Sequence, residues 1–315
     1  QYNNAIEVMM SSLRNRCDVL KLLLIFNPHA SLGRAAALMP DVLSALEVFA
    51  KVEVFCTRGR SDATRYLAEI GLGDFDGIIA AGGDGTLFEV LNGLYRHEPG
   101  SRPALGLLPV GTGNAFSRDL GLQPGDWRKG IEIIRAGGKR AVDVGRVRQS
   151  DGDFHFLNII GAGLPVDAMQ TADRMKVFGR SAYTLSTLWH ALRLRSYPLR
   201  FTVDGVVHEQ ESMFIEIANS RYTGTSFLIA PDAKMDDGLF DIILVRRMPR
   251  ARLLRLFPSI YSGDHVKYPE VTVLQGRVIT IESPGGMILA PDGELHGGTP
   301  ATVSCLHRDL EIFSA

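Results

Sequence analysis

The sequence is short of several things that would each fix a class. Its 315 residues hold three cysteines, Cys17, Cys56 and Cys305, too far apart for a CxxC pair. Zinc-type metal sites and a disulfide framework are therefore poor readings, and a reducing cytosol fits best. There is no excess of one charge: 34 Lys and Arg stand against 35 Asp and Glu, which argues against a nucleic-acid binder. The longest apolar run lies near Leu22–Phe26, far below the roughly 20 residues a membrane-spanning helix needs. Residues 1–18 lack a signal-peptide apolar core and are read as an extension or remnant without function. Repeats, low-complexity tracts and disordered linkers are also missing, as are the Walker A pattern and the G-x-G-x-x-G dinucleotide fingerprint, which disfavours hydride transfer.

What is present falls into two halves of different period. Over residues 19–143 short apolar runs alternate with amphipathic segments. LKLLLIF, KVEVFCT, FDGIIAA and PALGLLPV read as buried strands. SLGRAAALMPDVLSAL, SDATRYLAEIG, the segment after GGDGT and Trp127–Ala136 read as helices between them. That alternation predicts a parallel α/β unit. Over residues 144–303 the period turns to two. RFTVDGVVHE predicts a hairpin turning at Asp204-Gly205, MFIEIAN, GLFDIILV and RVITIE predict further strands, and helical stretches fall at Tyr183–Arg195 and Arg252–Ile260. This half reads as a mainly antiparallel β domain. Periodicity alone lets the last segment, TVSCLHRDLEIF, pair with either half.

Four glycine-bearing or small polar loops follow the predicted parallel strands: Asn27 to Gly33, the turn at Thr57, Gly82-Gly83-Asp84-Gly85-Thr86, and Gly111-Thr112-Gly113-Asn114. Glycine lets backbone amides approach a ligand closely. A helix beginning there presents unpaired N–H groups and the positive end of its dipole, which suits a phosphate. One such turn can be no more than a tight turn with Asp84 as cap. Four of them at the carboxyl edge of one open sheet predict a single phosphate-binding site.

GGDGTLFEVLNGL, PVGTGNAFSRDLG, the NPHAS loop, PDAKMDDGLFDIILV and the late PDGE, in that order, resemble the bacterial diacylglycerol kinase family of soluble lipid kinases, related to sphingosine and ceramide kinases. The resemblance runs from about Leu20 onward. It implies an ATP-binding α/β domain (residues 19–143 with 304–315), a β-sandwich lipid domain (144–303) and an active site in the cleft between them, with the last strand returning to the first domain. It also implies that ATP is held by Asn27, Pro28, His29, Ala30, Ser31, Thr57, Gly83, Asp84, Gly85, Thr86, Leu87, Phe88, Glu89 and Thr112.

Two further segments read two ways. Asp236-Asp237-Gly238 is a turn signal before a strand; the family adds a structural magnesium ion on the Asp237 carboxylate and the carbonyls of Lys234 and Leu239, an oxygen set suited to a hard cation. A separate magnesium would accompany ATP. Pro291-Asp292-Gly293 is likewise an ordinary turn; the family makes Glu294 the general base toward the lipid hydroxyl, with Asp84 orienting the nucleotide and its metal. Ala115 after Asn114 departs from the Asp common in bacterial members and leaves open diacylglycerol, sphingosine, ceramide or phosphatidylglycerol as substrate.

A soluble kinase of a lipid must work at an interface. Arg246, Arg247, Arg250, Arg252 and Arg255 lie among Leu253, Leu254, Leu256 and Phe257, and Arg193, Arg195 and Arg200 lie near Trp189 and Tyr197. Each segment suits an anionic membrane surface or a helix packed on its own domain. The expectation is a cytoplasmic enzyme, peripheral at the inner membrane surface, with a homodimer suggested by the family. A non-catalytic lipid or nucleotide sensor on the same fold and NAD kinase are the alternatives.

Overall fold

A computed structural model describes residues 19–172, 181–193, 195–224 and 226–315; the N-terminal extension lies outside them. The chain opens with β1 (Leu20–Phe26), whose last five residues are buried. The sequence predicts a helix from residue 31. The chain instead turns left-handed through Ser31, Leu32 and Gly33, with φ of 53°, 61° and 83°. A short 3₁₀ turn (Arg34–Leu38) follows, and α1 (Met39–Glu47) starts with Pro40 in its first turn, where a missing N–H costs nothing.

The next elements are β2 (Ala50–Cys56), α2 (Asp62–Glu69), β3 (Gly77–Gly82), α3 (Asp84–Leu94), β4 (Ala104–Pro109), a short α4 (Ala115–Asp119) and α5 (Trp127–Ala136). β2, β1, β3 and β4 lie side by side and parallel. Both faces of this sheet are covered. Leu67, Val90 and Leu94 pack with Leu23 and Ile25 on one side; Val42, Leu46, Trp127 and Ile131 pack with Leu22 and Leu24 on the other. Strands buried on both faces explain the unbroken apolar runs.

The second half comprises β5 (Lys139–Gln149), β6 (Gly152–Phe156), β7 (Ile159–Gly163), α6 (Leu164–Ala172), α7 (Ser181–Arg193), β8 (Tyr197–Val203), β9 (Val206–Ser212) and β10 (Phe214–Ala218). It continues through β11 (Tyr222–Thr223), β12 (Phe227–Leu228), β13 (Phe240–Val245), α8 (Arg250–Leu256), β14 (Val271–Gly276), β15 (Val278–Glu282), β16 (Leu289–Pro291) and β17 (Ala301–Phe313). The hairpin predicted at Asp204-Gly205 is β8–β9. Five antiparallel strands, in the order β14-β13-β10-β7-β16, form one layer of a sandwich. Phe156, Phe201 and Phe240 fill the space between the layers.

The other layer is continuous with the first domain. β17 pairs with β15 through residues 301–304, with β4 at Ile312, and antiparallel with β5 along most of its length, with an irregularity between Leu306 and Leu310. The last strand thus returns to the first domain, and one ten-stranded sheet runs through both halves. The domain limits at 143/144 and 303/304 fall inside β5 and β17. A period of two marks a strand but not which neighbours it joins.

Candidate active site

The four loops predicted to meet do meet. Asn27, His29, Ala30, Ser31, Thr57, Gly83, Gly85, Thr86, Glu89 and Thr112 surround one cleft of about 440 Å³, and Glu294 of the second domain closes it. Side chains lock the loops together. Asn27 Nδ2 donates to Thr86 Oγ1 at 2.9 Å, and Asn27 Oδ1 accepts the His29 amide at 2.9 Å. Ser31 Oγ donates to the Val110 carbonyl at 2.8 Å.

The two glycine turns touch backbone to backbone. The Gly111 amide donates to the Gly82 carbonyl at 2.9 Å. A Cβ added to Gly111 would stand 2.3 Å from Gly83 Cα, closer than atoms can approach. Gly111 of the predicted glycine turn also lines the cleft, as do Gly59 and Arg60, which the sequence did not single out. Gly111 was legible inside GTGN; Arg60 carries no motif and is known only from its position.

Not every expected residue faces the cleft. Pro28 lines a neighbouring groove with Met39 and Val54. Leu87 is 5% exposed within the first core, and Phe88 is 8% exposed against Phe154 and His296. Helical geometry separates them: Thr86 and the half-buried Glu89, three residues apart, share the cleft side of α3, while Leu87 turns into the first-domain core and Phe88 into the sandwich core. Glu89 has a second task. Its carboxylate accepts the amides of Ser61 and Ala63 at 2.7 and 3.2 Å, fixing the start of α2, and burial pushes its pKa up.

Asp84 sits where two helices begin. It opens α3, and its Oδ1 accepts the Ala115 amide of α4 at 2.7 Å. Burial raises its pKa to about 6; amides of Ala115 and Asn114 oppose the rise, and the Glu294 charge adds to it. The Glu294 carboxylate rests against α3, since a Cβ on Gly85 would lie 2.4 Å from Glu294 Oε1. Asp84 and Glu294, far apart in sequence, therefore form one acidic pair at the start of α3.

Asp292 holds Glu294 in place. It is 4% exposed, adopts φ of 48°, and accepts the amides of Leu157, Asn158 and Ile159 at 2.9, 2.8 and 3.2 Å. Its own amide returns a bond to the Ile159 carbonyl. Burial pushes its pKa up to about 7 despite those donors, with Asp84 contributing. The sequence shows only a turn here, because the three donors are some 134 residues away.

The PDAKMDDG loop lies apart from the cleft lining. Asp143, fully buried, accepts the Gly238 amide at 2.6 Å, His307 Nδ1 at 2.8 Å and the Arg308 amide at 2.7 Å. It ties the loop to β5 and β17. Asp237 is half-buried and accepts the Leu239 amide at 3.0 Å. Asp241 is raised to about 6, first by burial and then by the charges of Asp237 and Asp232. That crowding of negative charge fits a cation at Asp237. Among the described residues no group of three or more His, Cys, Asp or Glu could hold a metal, so an ion there would draw on carbonyls such as those of Lys234 and Leu239.

The two basic segments are neighbours. Arg250 at the start of α8 donates to the Leu192 carbonyl of α7 at 2.9 Å. Leu254 and Trp189 are 49% and 57% exposed, and Arg193 stacks over Trp189 at 5.1 Å. Arg246, Arg247 and Arg255 are exposed. Arg252, grouped with them by sequence, is instead held by Glu270 at 3.0 Å. No described helix is long and apolar enough to cross a membrane.

Comparison with known proteins adds four findings. The profile of the diacylglycerol kinase catalytic domain matches residues 21–147. That of the YegS C-terminal NAD kinase beta sandwich-like domain matches residues 158–314. A diacylglycerol kinase of Staphylococcus aureus (strain bovine RF122 / ET3-1) is 32% identical over 296 residues, 92% of this chain and 91% of that protein. A solved structure of a diacylglycerol kinase from Bacillus anthracis str. Sterne superimposes with a TM-score of 0.72 at 27% identity, over 94% of this chain and 97% of that one.

Proposed function

Because the chain belongs to the diacylglycerol kinase family, we propose that it transfers the γ-phosphate of ATP to the free hydroxyl of diacylglycerol, giving phosphatidic acid and ADP. One observation carries the reading: the Glu294 carboxylate is seated on Gly85, at the point where four phosphate-type loops converge.

The chemistry follows from the residues. The amides at the start of α3, the glycine turns and Arg60 hold the phosphate chain of ATP; their positive ends match its charge. Glu294 accepts the proton of the lipid hydroxyl as that oxygen bonds to the γ-phosphorus. The bond from phosphorus to the β–γ bridging oxygen breaks, and ADP leaves with the electron pair. A general base of this kind must come within about 3 Å of the hydroxyl. Asp84, beside Glu294, orients the nucleotide. Magnesium bound with ATP would neutralise the phosphate oxygens, and the Asp237 carboxylate with the Lys234 and Leu239 carbonyls would hold a second ion in the loop that Asp143 anchors. Exposed Arg246, Arg247 and Arg255, with Leu254 and Trp189, bring the enzyme to an anionic membrane surface.

The test is phosphate transfer from labelled ATP with magnesium to separate micelles of diacylglycerol, sphingosine, ceramide and phosphatidylglycerol, with Glu294→Gln as control. Label in diacylglycerol, lowered about 10²- to 10⁴-fold in the variant, is expected. Label in another of the four corrects the substrate. Label in none of them rejects the kinase reading. In a parallel vesicle-binding assay, replacing Arg246, Arg247 and Arg255 together by Gln should weaken binding to anionic vesicles; unchanged binding places the docking face elsewhere.

A further inference from the structure

The motif GGDGTLFEVLNGL runs well past its glycine turn, and the faces of α3 explain the rest of it. Thr86 and Glu89 look into the cleft. Leu87, Val90, Leu91 and Leu94 enter the first core. Gly85, Phe88 and Asn92, with Tyr95 capping the end, recur at i, i+3, i+7 and i+10, the spacing of one stripe along a helix. Each residue of that stripe meets the second half of the chain. Glu294 rests on Gly85. The Phe88 ring meets those of Phe154 and His296 edge-on, with centroids 6.3 and 5.7 Å away, and His296 stands two residues beyond Glu294. Tyr95 lies against the His155 ring at 4.1 Å, and its hydroxyl donates to Asp309 of β17 at 2.7 Å.

The polar joint of this stripe is Asn92. Its Oδ1 accepts the His155 amide at 2.8 Å, and its Nδ2 donates to the carbonyls of His155 and Phe88, both at 2.9 Å. A side-chain amide that gives one bond to a residue and takes one from it pairs as a neighbouring strand would. Among the described residues β6 pairs with no strand but β5, so Asn92 fills part of its open edge. Reversing the amide would set its oxygen against two carbonyls, which fixes its orientation. Burial, then the charges of Arg146 and Arg102, hold the pKa of His155 down to about 4. The joint is therefore uncharged at neutral pH.

Asn92 and Gly85 belong to one rod. Seven residues separate them, about 10 Å along the helix axis. The bracket on β6 at one end and the seat of Glu294 at the other are thus fixed to the same rigid element. A shift of β6 against α3 carries the Glu294 turn with it, because Asp292 of that turn is bound to the amides of residues 157–159, which directly follow β6.

We propose that Asn92 is a positioning residue for the transfer: by bracketing His155 it sets where Glu294 stands over the phosphate-binding start of α3. The proposal rests on the kinase reading of the cleft and adds the group that aligns its base with the phosphate, whichever lipid enters. Alignment of this kind matters, since a displacement of about 1 Å caused by a distant substitution can cost about 10²-fold in rate.

The test compares three variants of the full chain. Asn92→Leu keeps the volume and removes all three bonds. Phe88→Leu loosens the same joint one turn nearer Glu294. Val90→Ala opens the first-core face of the same helix and is the control for lost stability alone. In both joint variants kcat for phosphate transfer to lipid should fall about tenfold or more, while the Kd for ATP, read by calorimetric titration, stays within about twofold of wild type. Val90→Ala should keep the wild-type kcat. A kcat that survives Asn92→Leu, or that falls as far in Val90→Ala, sinks this proposal alone. ATP affinity that falls in step with kcat also overturns it, since α3 itself would then be disturbed.

A second readout needs no turnover. The charge of Glu294 helps to hold Asp84 at about 6, against the amides of Ala115 and Asn114, with the Asp292 carboxyl also facing it. Carbon-13 titration of labelled aspartate should place Asp84 lower in Glu294→Gln, and lower also in Asn92→Leu as Glu294 draws away. A titration moved by Glu294→Gln and untouched by Asn92→Leu overturns the positioning role, whatever is phosphorylated. A shift in both variants, with no lipid phosphorylated by the wild type, sinks the kinase reading alone.

Discussion

At the scale of single residues, the chain holds carboxyl groups that burial keeps from ionising easily. Asp84, Asp292 and Glu216 are raised to about 6, 7 and 8, but their surroundings differ. Asp292 has three amide donors and Asp84 has helix starts; Glu216 of β10 has apolar walls. A buried carboxyl with a raised pKa favours the folded state only while protonated. Its contribution is full below its unfolded value of 4.5 and is lost as pH rises through about 8. Glu216→Gln removes that loss while keeping the shape. The variant should therefore gain stability on wild type between pH 5 and pH 8, by up to a few kcal/mol, read as the pH-dependent difference in urea midpoints. A difference that stays flat over that range would show that the carboxyl finds a partner in solution.

At the scale of elements, the phosphate site depends on two turns that fit only without side chains. In Gly111→Ala the new methyl would meet Gly83 Cα, and neither backbone can yield without moving β3 or β4. Overpacking of this kind costs roughly 1–3 kcal/mol. The expected result is a lower melting temperature and ATP affinity reduced about tenfold or more, read by calorimetric titration; wild-type affinity would mean that the turns are free to separate. These turns were legible in sequence because glycine announces itself locally, as did β1 to β4 and the helices of the first domain apart from the start of α1 and the short α4. There, Ser31 and Leu32 take left-handed conformations that their residue types do not advertise. The assignment of Leu87 and Phe88 to the cleft came from treating GGDGTLFE as a continuous patch, whereas a helix divides such a patch between two faces. What stayed hidden was set by distance in sequence: Asp292 waiting for the amides of residues 157–159, Asp143 for those of 238 and 308, and Glu216 for apolar walls drawn from elements spread between Leu164 and His265.

At the scale of the whole molecule, the two halves are joined by main-chain hydrogen bonds. β17 lies between β4 of the first domain and β15 of the second, and β5 follows it along most of its length. Melting either half would strip partners from strands that the other half needs, so the loss of one raises the free energy of the other. Domains linked only through an exposed linker lack that coupling. The chain has two tryptophans, Trp127 buried in the first domain and Trp189 exposed on α7 of the second, and so carries one reporter in each half. Fluorescence of Trp127→Phe and Trp189→Phe, followed against urea, should show transitions with the same midpoint and slope once each variant's own stability is allowed for. Leu24→Ala, a buried deletion in the first domain on the Trp127 face of its sheet worth about 2–5 kcal/mol, should then move the Trp189 transition by as much as the Trp127 one. A Trp189 transition that ignores Leu24→Ala would mean that the shared sheet breaks at β17, and that the cleft between Gly85 and Glu294 joins two independently stable bodies.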